Sequence, residues 1–190
     1  GTSKVLELVR KHKARMVHVS TDEVYGHLGK SDPPFTEDSP LSPRSPYSAT
    51  KAGSDLLVQS YITTFGVDAS ITRCCNNYGP RQHDEKLIPT VIRSIVQGNK
   101  VPVYGNGKNI REWIHAEDHA KAIIEVLKDD VPAVVYNIVG NLVVDNLDLI
   151  KKVIKEIEHQ FPGYKRKKSD YLEYVPDRKG HDFKYQLSSK

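Results

Sequence analysis

Short apolar runs with strand character alternate with amphipathic helical stretches along this chain, and no other feature limits its fold as much. Residues 15–19, "VDASITRCC", "VPVYGNG" and "AVVYNIVG" read as strands, the third passing into a turn. Between them, apolar residues recur at helical spacing near residues 3–13, 46–65, 85–98, 117–129 and 145–161. Ser45 can cap the second helix, Pro46 suits its first turn, and Gly66 ends it. "NNYGP" reads as a turn, residues 26–45 as a long loop, and residues 163–190 show no clear period. Strands that alternate with helices predict an α/β fold with a parallel sheet. Ligands of such sheets sit beyond the carboxyl ends of the strands, which directs attention to "STDE" and "NNYGP".

Composition narrows the function classes. The net charge of +4 is modest, and the cluster Lys165 to Lys168 reads as a solvated loop rather than a nucleic-acid patch. No apolar run approaches the roughly 18 residues of a membrane span. The chain opens on a charged amphipathic stretch, not a secretory leader. Cys74 and Cys75 are adjacent, so on a strand they point to opposite faces, which disfavours a chelate or a disulfide. No metal is expected, and a reducing, cytoplasmic setting fits. The abrupt helical start, with no strand for that helix to cover, suggests a fragment.

In "MVHVSTDEVYG" an apolar strand runs straight into Ser20, Thr21, Asp22 and Glu23. Charge at the end of a buried strand is costly unless it is solvated, paired or used. The bland alternative is that Asp22 caps a turn and Glu23 faces solvent. In "PYSATK", Tyr47 and Lys51 stand four residues apart in a predicted helix and share one face. An ammonium near a phenol stabilises the phenolate and lowers its pKa, so such a tyrosine can take a proton from a sugar hydroxyl. Taken alone, the pair is a weak signal and reads as an ordinary helix surface.

The order "STDEVYG", "SPYSATK", "NNYGP", "REWIHAEDHA" resembles the extended short-chain dehydrogenase/reductase family, the NAD-dependent epimerases and dehydratases of nucleotide sugars. The likeness spans the chain. Epimerases of the family generally carry Ser or Ala where Asp22 and Glu23 stand. The Thr-Asp-Glu triplet resembles the nucleotide-sugar 4,6-dehydratases, and "EKLIP" and "PDRKGHD" resemble their dTDP-glucose branch.

That resemblance implies a hydro-lyase using NAD to convert dTDP-glucose to its 4-keto-6-deoxy product. Tyr47 would take the 4-hydroxyl proton as hydride leaves C4 for NAD⁺, and Thr21 would hydrogen-bond that hydroxyl. Lys51 would tune Tyr47 and hold the nicotinamide ribose, with Asn77 near the nicotinamide. The C4 ketone acidifies the C5 proton; Glu23 would remove it, Asp22 would protonate the departing 6-hydroxyl, and hydride would return to C6. The two carboxyl groups must then start in opposite protonation states.

For the rest of the substrate, the resemblance implies Asn76, Lys86 and Leu87 at the sugar nucleotide, Pro102 and Tyr104 at the base, and Arg111 on the diphosphate. Asn146, Arg178 and His181 would complete the site. It also implies a homodimer pairing through the helices near 3–13 and 46–65. Other nucleotide-sugar dehydratases, a 4-epimerase, or a non-catalytic nucleotide-sugar-binding module are the alternatives.

The family's Gly-rich dinucleotide turn is absent from these 190 residues. The expected architecture is therefore the C-terminal part of a Rossmann-like doubly wound sheet plus a smaller α/β substrate-binding domain. Residues 1–75, with 107–140 returning to them, would form the former; residues 76–106 and 141–190 would form the latter. The chain alone is expected to bind NAD⁺ weakly and to turn over slowly or not at all.

Overall fold

The apolar pattern translates directly into element order. The computed structural model describes residues 1–129 and 134–188. Along them run α1 (Thr2–His12), β1 (Met16–Thr21), α2 (Pro46–Phe65), β2 (Ala69–Cys74), β3 (Asn76–Tyr78), α3 (Leu87–Val96) and β4 (Val101–Tyr104). They continue through β5 (Ile110–His115), α4 (Ala116–Lys128), β6 (Val135–Ile138), β7 (Leu142–Asp145), α5 (Asn146–Gln160) and β8 (Leu172–Val175). The strand expected from Ala133 begins at Val135; Ala133 itself lies outside the described residues.

β1, β2 and β6 form a parallel sheet in that order. Thr21 stands opposite Cys74, and Cys74 opposite Ile138, so all three strands end at one level. β2 is central and every one of its residues is buried, Ser70, Thr72 and Arg73 included, as expected for a strand covered on both faces. α1 and α2 close one side through Leu6, Val9, Val58, Val67, Ala69 and Ile71. Val24, Tyr25, Cys74, Cys75, Ile114 and Ile138 form a second cluster, beyond the strand ends. Both cysteines are free and buried.

A second sheet has the order β3-β5-β7, parallel between the first two strands and antiparallel between the last two. β4 pairs in parallel with β8, and α3 and α5 cover that pair through Val91, Ile95, Ile150 and Ile154. Loop 26–45 contains no helix or regular strand, but single bridges tie Leu28 to Lys184 and Phe35 to Leu187. The loop therefore straps the end of the described chain across the first sheet's carboxyl edge. No helix among the described residues is long and apolar enough to cross a membrane.

Four sequence readings are corrected. "NNY" is a strand, and the turn begins only at Gly79; three residues are too few to show a period. β5 escaped notice because Arg111 and Glu112 put charge in the middle of a buried strand. β7 and β8 are four-residue strands with mixed burial, below the length at which alternation registers. β1 runs on through Ser20 and Thr21 before the chain turns.

Candidate active site

Thr21 ends β1 in an extended conformation, and its hydroxyl oxygen accepts the Glu23 N–H at 3.4 Å. This caps a single 3₁₀ turn, Asp22–Tyr25. So short a turn sends Asp22 inward, where it is 3% exposed, and leaves Glu23 half-buried. Thr21 Oγ1 donates to Asp22 Oδ1 at 3.2 Å, while Asp22 Oδ2 is buried without a hydrogen-bond partner.

Burial, then the charge of Glu23, pushes the Asp22 carboxyl up to about 7; the Thr21 hydrogen bond and the Arg111 cation oppose the rise. Burial also raises Glu23, but Arg111 and Lys86 pull against it. The fully buried member of the pair is thus the one that keeps its proton near neutrality. The less buried member faces two cations that favour its ionised form.

α2 brings the next group. Ser45 and Ser48 form a reciprocal capping box around its first turn, with Pro46 inside it, an arrangement worth about 1 kcal/mol. The turn so fixed brings Tyr47 within electrostatic reach of Glu23 and Asp22 at the end of β1. Burial, then the Glu23 charge, raises the Tyr47 pKa. The expected lowering by Lys51 is therefore corrected. Lys51 shares the helix face but gives its ammonium to the Val19 carbonyl at 2.6 Å, and nearby carboxylates dominate the phenol's field.

Asn77 turns inward: its amide donates to Cys75 O at 3.1 Å and Cys74 Sγ at 3.5 Å, and its oxygen meets His119 Nδ1 at 2.8 Å. Asn76 is half-buried at the start of β3. Lys86 is the exposed N-cap of α3, 3.4 Å from Glu85, and Leu87 packs into the core beneath it. Arg111 is buried beside the carboxyl pair. Its Nη1 donates to Ile110 O at 2.8 Å and Phe183 O at 3.3 Å, its Nη2 to Asp182 O at 2.9 Å, and it lies 4.5 Å over the Tyr185 ring. Much of its fork is thus committed to backbone carbonyls, and its charge acts on Asp22 and Glu23.

A separate group gathers at β4–β8. Pro102 and Tyr104 lie on β4, Arg178 stacks 4.2 Å over the Tyr104 ring, and His181 Nδ1 meets Asp177 Oδ1 at 2.7 Å. Asn146 opens α5, with its N–H on Asn109 O at 3.0 Å.

Sequence reading missed the buried polar groups beneath the turn. Arg73, 2% exposed, holds Asp55 at 2.9 Å, and Asp182 holds Arg44 at 2.9 Å. The signal for the first was present: an arginine in the middle of "ASITRCC" has to find a partner.

The sequence pattern of the family described as GDP-mannose 4,6 dehydratase matches residues 1–187. The chain is 46% identical to low-salt glycan biosynthesis protein Agl12 of Haloferax volcanii, over 92% of this chain and 53% of that protein. It is 41% identical to the dTDP-glucose 4,6-dehydratase of Neisseria meningitidis, over 100% of this chain and 57% of that enzyme. It superposes with a TM-score of 0.90 and 42% identity on DesIV, the dTDP-glucose 4,6-dehydratase of Streptomyces venezuelae, in a crystal structure with NAD and TYD bound. That match covers 99% of this chain and 56% of the other. The chain spans about half the length of the curated relatives it matches. With that pattern running along almost its whole length and the Thr-Asp-Glu turn built at the strand end, this chain belongs to the GDP-mannose 4,6 dehydratase family.

Proposed function

We propose that the protein containing this chain dehydrates a nucleotide-activated hexose, dTDP-glucose, across C5 and C6. One observation carries the reading: Tyr47, Asp22 and Glu23 form a single electrostatic group at the carboxyl end of β1, where burial pushes the Asp22 carboxyl up to about 7, so that a large share of it carries its proton near neutrality. An elimination needs one group to take a proton and another to give one, and this pair is unequally placed: burial raises both carboxyls, but Asp22 is fully buried while half-buried Glu23 faces Arg111 and Lys86.

NAD is the cofactor of this proposal, and the residues present fit its nicotinamide ribose. Tyr47 and Lys51 share a face of α2 beside β1, which has no strand on its outer edge among the described residues, and Val19 there is 39% exposed. When bound, NAD⁺ supplies reversible hydride acceptance. Tyr47 takes the 4-hydroxyl proton, with Thr21 orienting that hydroxyl. In this chain burial, and then the Glu23 charge, disfavour the Tyr47 phenolate, so its activation requires positive charge on the open side of α2. Lys51 is placed to bring it by leaving the Val19 carbonyl. Glu23 then removes the C5 proton, with Arg111 stabilising the ionised base, and Asp22 protonates the departing 6-hydroxyl from its unpaired Oδ2. Lys86, Asn76 and Leu87 lie toward the sugar. The cluster Pro102, Tyr104, Arg178 and His181 receives the nucleotide with Asn146, and Asn77 braces the strand end beside the nicotinamide.

The proposal includes the division of the chain into part of a cofactor domain, residues 1–75 with 107–140, and a nucleotide-sugar domain, residues 76–106 with 141–190. It includes a homodimer through α1 and α2, supported by Val5, Leu8, Leu56 and Leu57, which are 41–58% exposed on those helices. A cytoplasmic location is supported by the two free cysteines.

The test is incubation of the full-length protein with dTDP-glucose in D₂O. The 4-keto-6-deoxy product should form with solvent deuterium at C5. Glu23→Gln should stop the C5 exchange, and Tyr47→Phe should stop all oxidation. Nucleotide-sugar binding with no product would defeat the reading.

A further inference from the structure

Arg73 is the one charged residue in a strand whose every side chain is buried. A buried guanidinium is expensive, and apolar replacement of a buried ion pair is often neutral or stabilising. Packing alone therefore gives no reason for an arginine here. Its contacts supply one. Nε donates to Asp55 Oδ2 at 2.9 Å, Nη1 donates to the Tyr25 hydroxyl at 2.9 Å, and the guanidinium carbon lies 4.7 Å over the Tyr25 ring.

The two ends of this bridge sit on the two catalytic elements. Asp55 follows Tyr47 and Lys51 at intervals of four on α2, so all three share one helix face. That face lies along β1: Lys51 holds Val19 O, and Asp55 Oδ1 is 3.3 Å from His18 Nε2. Tyr25 is the last residue of the turn that carries Asp22 and Glu23. Its hydroxyl also donates to Asn137 Oδ1 at 2.8 Å, and Asn137 Nδ2 donates to Phe35 O and Ser188 O, so the same point fixes the overlying strap. A one-turn 3₁₀ segment has little internal bonding to set its own orientation. Tyr25, 2% exposed, anchors it.

We propose that Arg73 is a positioning residue: through Tyr25 and Asp55 it locks the acid–base turn Asp22–Tyr25 to the helix face bearing Tyr47 and Lys51. The catalytic consequence rests on the dehydratase reading above; the mechanical link does not. Misplacement by about 1 Å can cost on the order of 100-fold in rate.

The test uses two variants, because Arg73→Ala would strand a buried carboxylate and could fail to fold. Tyr25→Phe removes one oxygen. Arg73→Lys keeps the charge that neutralises Asp55 but loses the planar fork that reaches both partners. In the full-length protein, carbon-13 titration of the Asp22 carboxyl should show its midpoint falling toward the ordinary value of ~4 in Tyr25→Phe, as the turn loosens and water reaches it. The groups facing Asp22 in that titration are Glu23, Thr21, Arg111 and Glu112, with Tyr47 from α2 and the thiols of Cys74 and Cys75. In the full-length protein, both variants should lower kcat at least about tenfold, with KM for dTDP-glucose within about twofold. A merely structural Arg73 predicts a normal Arg73→Lys enzyme. Unchanged Asp22 titration together with unchanged kcat would overturn the proposal. If the wild-type protein does not turn over dTDP-glucose, the functional reading fails, and the Asp22 titration still decides whether the bridge holds the turn.

Discussion

Replacing Asp22 by Asn should stabilise this fold at alkaline pH while ending turnover. The folded chain raises the Asp22 carboxyl from 3.8 to about 7, first through burial and then through Glu23. At about 1.36 kcal/mol per pKa unit, ionising it inside the fold costs about 4 kcal/mol more than in the unfolded chain. The folded state binds this proton more tightly, so the stability it confers is full below about pH 4. It is lost as pH rises toward about 7, and the whole cost stands above that. Asparagine carries no such cost, and its side-chain oxygen can still accept from Thr21. The stability gap between Asp22→Asn and wild type should therefore widen by about 3 kcal/mol between roughly pH 5 and pH 8. In melting temperature that is roughly 6–12 °C for a chain of this size. Urea unfolding of both proteins across that range measures it, and other titrating groups largely cancel in the difference. Parallel pH–stability curves would refute the reasoning, because they would mean Asp22 is not held neutral by its burial.

Other outcomes follow from single contacts. Gly140→Ala would place a Cβ 2.0 Å from the Trp113 carbonyl oxygen, while Glu112 holds the Gly140 N–H at 2.9 Å, so the strand end cannot retreat; a urea midpoint should report a loss of about 3 kcal/mol. Ser45→Ala removes the cap that fixes the first turn of α2 and should cost about 1 kcal/mol in the same assay. Arg111→Met deletes a cation that lowers both Asp22 and Glu23. Glu23 should then stay protonated to higher pH, and the acid limb of the pH–rate profile should move upward.

Much of the architecture could be read from the chain because the relevant signals are local. The Ser45-Pro46 start and the Gly66 stop of α2 are turn-scale chemistry, and the structure builds both. The strand before "STDE" declared itself by its apolar run, and the acid pair by standing where charge is costly. β5, β7 and β8 were hidden because their residues make sense only beside their neighbours. Nothing local in the chain shows Arg111 and Glu112 to be buried strand residues; that is set only when Phe183 O, Asp182 O, Gly140 N and Leu187 N are brought around them.

The sequence by itself determined the alternation of elements, the placing of a hydroxyl and two carboxyl groups at the end of β1, and hence the residue types available there. Only the tertiary structure decided how those groups divide the work. Asp22 and Glu23 are neighbours of the same chemical class, and no pattern in one dimension separates them. Depth of burial and the charges of Arg111 and Lys86, brought from other elements, give them unequal environments. A proton's preference depends on the local dielectric and on charges arriving from distant parts of the chain, and these exist only once the chain has folded.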